Sequence, residues 1–74
     1  MNSYEQLANA IILKAVDDYR SASKVLARKP RDVLAQRELS QCERFFLSSW
    51  FQVLTSIDGA SLLEKLRKER DENG

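Results

Sequence analysis

Apolar residues recur at helical spacing along most of this chain. Tyr4, Ala8, Ile11, Ala15, Tyr19, Ala22 and Leu26 follow one another at intervals of three or four, tracing one face of a helix. Leu7, Ile12 and Val16 widen that face, while Lys14, Asp17, Asp18, Arg20 and Lys24 lie mostly away from it. The spacing predicts a helix over residues 3–28, opened by Ser3 with Gln6 in capping-box register. Arg28-Lys29-Pro30-Arg31-Asp32 ends it, because the proline ring clashes with a helical conformation of the residue before it. Asp32 as a cap, or Pro30 at the first helical position, suits the start of the next helix.

That second helix runs from about residue 32 to 46 or 47, with Ala35, Leu39, Cys42 and Phe46 on its apolar face. Ser48-Ser49-Trp50 marks a bend, where either serine can cap a short third helix carrying Trp50, Phe51, Val53, Leu54 and Ile57. The alternative is a second helix continuing to Ile57. Asp58-Gly59 suits a turn with positive φ at the glycine. A last helix, residues 60–69, is capped by Asp58 or Ser61 and carries Leu62, Leu63 and Leu66; residues 67–74 form a frayed polar tail. No run alternates with a period of two, so strands are not expected. The fold class is all-α: one domain over residues 1–74, a small helical bundle of two long antiparallel helices plus one short and one C-terminal helix.

Composition limits what such a bundle has to work with. The chain has 74 residues, 12 basic and 11 acidic, with one cysteine and no histidine. Chains near this size bury only about 60% of their unfolded surface and commonly need a disulfide, a metal or a partner. Cys42 alone cannot form an internal disulfide, and without histidine the usual zinc ligand sets are out of reach. Self-association or very good helix packing remains. A net charge of +1 argues against a strongly basic nucleic-acid coat. No apolar run is long enough to span a membrane, and no basic segment precedes the short apolar run near the N-terminus as in a signal peptide. The expected setting is the cytoplasm, with a reduced thiol.

Two clusters stand out. Phe45, Phe46, Trp50 and Phe51 place four of the six aromatics within seven residues. Large side chains at a bend close a small core, yet neighbours on a helix point about 100° apart, so one of Phe45 or Phe51 is expected to face a second subunit or partner. The other cluster is basic: Lys24, Arg28, Lys29, Arg31 and Arg37. Between Lys14 and Arg37, seven basic residues stand against three acidic ones. These could contact phosphates, or complement the dipole at a helix C-terminus. A helix-turn-helix aligned on Gly59 puts Asp58 and Glu64 where apolar residues belong and offers no arginine-rich reading face. Catalysis finds little support. Asp17 and Asp18 point apart, Cys42 has no histidine to activate it, and no phosphate loop is present. No cofactor is expected.

From Ala15 onward the chain resembles small uncharacterised helical proteins of bacteriophages and prophages of Gram-positive bacteria. The resemblance rests on Tyr19-Arg20, on an aromatic-Ser-x-Trp-Phe segment over residues 46–51 with one extra residue around Leu47, on the Leu-Thr-x-x-Asp-Gly run at residues 54–59, and on the leucine-rich stretch 62–66. It covers about three-quarters of the chain and brings no catalytic residues. It implies a phage or prophage origin, where small proteins often regulate transcription or block host defences, anti-CRISPR proteins among them. The small core and the aromatic bend point to a non-enzymatic protein-interaction module in the bacterial host, a homodimer or an inhibitor or regulator of a host protein. The alternative is a small nucleic-acid-binding transcriptional regulator using the basic cluster.

Overall fold

The structure, a computed structural model, describes residues 3–73. It is all-α. The helices are α1 (Ser3–Arg28), α2 (Val33–Phe46), α3 (Ser49–Leu54) and α4 (Gly59–Asn73), and no strand occurs among the described residues. α1 alone, at 26 residues and 1.5 Å each, is about 39 Å long, close to the whole 41 Å long axis. The radius of gyration, 13.0 Å, exceeds the roughly 11 Å expected for a chain this long, so the molecule is elongated along α1.

The caps sit where the side chains demand. The Asp32 carboxylate accepts the Ala35 N–H at 2.9 Å and opens α2. The Ser48 hydroxyl accepts the Phe51 N–H at 3.3 Å and opens α3, while donating to the Phe45 carbonyl at 2.7 Å. One serine therefore both closes α2 and starts α3, and the second helix bends rather than continuing to Ile57. The Asp58 carboxylate accepts the Ser61 hydroxyl at 2.6 Å at the head of α4, which holds its pKa below the ordinary value.

Two expectations are corrected. Gly59 has no positive φ; it is the first residue of α4. A Cβ there would run into the Phe46 carbonyl oxygen and lie 3.0 Å from Phe51 Cδ1, so the glycine lets the start of α4 press against the end of α2. The polar segment expected to fray is also helical through Asn73 (Gly74 lies outside the described residues). Its charges reach other helices: Arg67 pairs with Glu43 of α2 at 3.3 Å, Glu69 with Arg20 of α1 at 2.8 Å, and the Arg70 guanidinium lies 5.9 Å from the Tyr19 ring centroid.

Where the four helices meet, Ile12 and Tyr19 of α1, Cys42 and Phe46 of α2, Phe51 of α3, and Leu63 and Leu66 of α4 form the core. Alanines line its ends: Ala8 and Ala22 on α1 and Ala35 on α2 are buried, which allows close helix approach.

Candidate functional site

The aromatic cluster divides by helix phase. Phe46 and Phe51 are fully buried and meet edge to face, with centroids 5.8 Å apart. Phe45 is half-buried and packs edge-on against Phe51 at 5.5 Å and tilted against Phe46 at 5.7 Å. Trp50 points outward and is 57% exposed. One member of each adjacent pair turns in, as helix geometry requires, but the residue turned out beside Phe51 is Trp50. Phe46 and Phe51 are therefore core residues and cannot offer a free contact surface.

Trp50 does not stand alone. Leu47 at the end of α2, Trp50 and Val53 three residues apart on α3, and Ile57 in the connection to α4 are each more than half exposed. Tyr4 lines the same shallow depression as Val53, and Leu7, one turn along α1, is also exposed. From Leu47 to Ile57 there is no charged residue, in a chain that is 31% charged. Six large apolar side chains on α1, on α3 and on the segments flanking α3 are thus more than half exposed, and two of them, Tyr4 and Val53, line one depression. Their exposure was hidden in the sequence because Trp50 and Val53 read as core residues of a bent helix.

The basic cluster is spread over two elements and a turn. Lys24 and Arg28 are exposed on the last turns of α1, Lys29 and Arg31 on the connection, and Arg37 on α2. Lys24 and Arg28 border a groove of about 910 Å³ between the end of α1, the start of α2 and the end of α4. Lys29, Arg31 and Arg37 do not line it. Arg20 and Arg70 do, and so do Tyr19, Ser23, Ala27 and Leu66. Arg20 is bound by Glu69 through two nitrogens, at 2.8 and 3.2 Å; this raises the pKa of the guanidinium and lowers that of the carboxyl. No pattern in the sequence signals this groove, since its floor is shared by α1 and α4, which lie far apart in the chain.

Two buried groups complete the inventory. Cys42 is buried, and desolvation, aided by Glu38, Asp18 and Glu43, pushes its thiol up to about 11. At neutral pH almost none of it is thiolate. Tyr19 is 1% exposed; its hydroxyl makes no well-formed hydrogen bond among the described residues, although the Arg67 guanidinium lies close enough to pull its pKa down. Burial raises its pKa against the opposing pull of Arg70. Among the described residues no helix is long and apolar enough to cross a membrane. No protein-family model, curated protein or solved structure matches the chain.

Proposed function

We propose that this chain is a non-enzymatic protein-interaction module that binds through the apolar end formed by α3 and the start of α1. The observation that carries this reading is the set Tyr4, Leu7, Leu47, Trp50, Val53 and Ile57, all more than half exposed, with Tyr4 and Val53 in one depression; Leu13 on α1 and Val33 and Leu34 at the start of α2 are exposed as well. Together they present on the order of 600–700 Å², approaching the roughly 800 Å² that each partner contributes to a standard interface.

The first occupant of this surface is a second copy of the chain. In a two-fold dimer the same patch meets itself, and the uncharged run 47–57 does so without like-charge repulsion. The host protein on which the module then acts follows from the resemblance to phage and prophage proteins, with inhibition or regulation of a host defence as the expected class. Light scattering at several concentrations, read beside Trp50 fluorescence, tests the pairing: mass should double as emission shifts to the blue. A chain that remains a monomer with water-exposed Trp50 at millimolar concentration would refute it. Gel shift on duplex DNA tests the rival regulator reading, which predicts binding at low salt that weakens steeply as salt rises.

A further inference from the structure

The groove at the opposite end of the bundle is a second surface, independent of the α3 end. Its floor and rim share one helical register. Tyr19, Ser23 and Ala27 step by four along α1 and form the floor, with Leu66 of α4 opposite. The Ser23 hydroxyl donates back to the Tyr19 carbonyl at 2.8 Å, so the floor beside Ala27 is small and already satisfied. Arg20, Lys24 and Arg28 also step by four, and at 1.5 Å per residue they stand about 6 Å apart in a row parallel to that floor. Arg20 is held by Glu69. Lys24 and Arg28 pair with no carboxylate among the described residues. Arg70, over the Tyr19 ring, marks the other edge. Four cations thus border the groove against two carboxylates, Glu69 and Asp71.

We infer that this groove binds an acidic amphipathic helix of a partner protein, with the helix's apolar stripe on the floor and its carboxylates facing Lys24 and Arg28. Three features select a helix. Acidic residues four apart on a helix recur at the same pitch of about 6 Å as the cationic row, the complementarity that flanking charges give paired helices. Small floor residues let a helix backbone approach closely. The bundle lacks a fourth long helix here, because α3 is six residues long and lies at the other end. A phosphate backbone fits less well. It would cover apolar floor without compensation, and Lys29, Arg31 and Arg37 do not line the groove to extend a phosphate track. A small carboxylate amphiphile would meet one cation of the row and leave the next unmatched.

The test uses the full chain and fluorescein-labelled 14-residue peptides, read by anisotropy at low and moderate salt. The first peptide carries leucines at i, i+3 and i+7 with flanking glutamates; the second has lysine for every glutamate, and the third serine for every leucine. The first should bind at least tenfold more tightly than either control. It should lose tenfold or more with Lys24→Glu/Arg28→Glu and a smaller factor with Lys24→Gln/Arg28→Gln, which removes the charge while keeping the helix well populated. Circular dichroism confirms that each variant is folded. Equal binding of the first and second peptides, or of the first and third, overturns the inference. So does a change of less than twofold in both double variants, or tighter binding of a labelled DNA duplex than of the acidic peptide at the same salt.

Discussion

Replacing Gly59 by alanine sets local helix preference against tertiary packing, and the two predict opposite signs. Gly59 has an ordinary helical φ, so alanine suits the backbone and by propensity alone would stabilise α4 by up to about 1 kcal/mol. Packing forbids it. The added methyl would overlap the Phe46 carbonyl oxygen and sit 2.9 Å from the carbonyl carbon, both backbone atoms at the end of α2, and no rotamer change can move them. The remaining contact is Phe51 Cδ1 at 3.0 Å, on a ring fixed by Phe45 and Phe46. Relief requires α4 to shift away from α2 and loosen Leu63 and Leu66, which are 1% and 4% exposed. Overpacking costs typically about 1–3 kcal/mol, and a backbone obstacle puts this site at the upper end. A domain of this length has roughly 4–11 kcal/mol of stability in total. The loss should lower the melting temperature by about 10–20 °C, at 4–8 °C per kcal/mol. Thermal and urea unfolding followed at 222 nm measure it, with exposed Ala60→Gly as a control that should lose about 1 kcal/mol through propensity alone. A Gly59→Ala chain as stable as the parent, or more so, would refute the close approach of α4 to α2.

Phe51→Ala should cost about 3–5 kcal/mol and lower the melting temperature by more than Gly59→Ala does, whereas Trp50→Ala should unfold within about 0.5 kcal/mol of the parent and abolish concentration-dependent mass in light scattering. Tyr19→Phe removes a buried hydroxyl that makes no well-formed hydrogen bond but lies near the Arg67 guanidinium, and should leave the urea midpoint unchanged or raise it; a lower midpoint would show that Arg67 satisfies the hydroxyl. Glu69 and Asp58 both titrate below their ordinary values, 4.5 and 3.8, the first because of Arg20 and the second because of Ser61, so the unfolded chain takes up protons before the folded one does. Their stabilisation is complete above about pH 4.5 and is lost as pH falls through the folded values, so the melting temperature should drop on acidification, and less steeply in Glu69→Gln; a flat profile from pH 7 to 3 would contradict this. Cys42 should react with a thiol reagent only as fast as the chain opens, speeding up in urea; rapid labelling of the native protein at pH 7 would contradict its burial and its pKa of about 11.

The helix boundaries were legible where a single side chain decides them. Pro30 forbids one continuation, and Asp32 and Ser48 each satisfy an N–H that would otherwise be orphaned, so residue type alone located two of the three breaks. The third was located but misread: Gly59 looked like a conformational requirement and is a steric one, which only the distance to Phe46 reveals. The C-terminal segment was misjudged for a related reason. Its charges offer no apolar periodicity, and the partners that hold it, Glu43, Arg20 and Tyr19, come from other helices. Phe46 fell on the apolar face of α2 in the sequence, but Phe51 could not be told from Trp50 because the break at Leu47-Ser48 resets the helical phase. The stripe of α2 therefore does not predict the inward face of α3.

Both surfaces follow from one mismatch of lengths. α1 spans the long axis, while α2, α3 and α4 have 14, 6 and 15 residues, so no single partner covers α1 from end to end. At its start α1 is met only by α3, too short to bury both its own faces and those of its neighbour; Tyr4, Leu7, Trp50 and Val53 stay exposed there. At its end α1 is flanked by α2 and by the polar last turns of α4, which contribute Glu69, Arg70 and Asp71 where a bundle interior would supply leucine. The first end is largely apolar, with Glu5 beside an uncharged run over residues 47–57, and suits meeting its own copy. The second is bordered by Lys24 and Arg28, which would repel the same row on a second copy and attract carboxylates. A long helix with short partners thus leaves two ends of opposite chemistry, and the charge on each end sets which kind of chain it can accept.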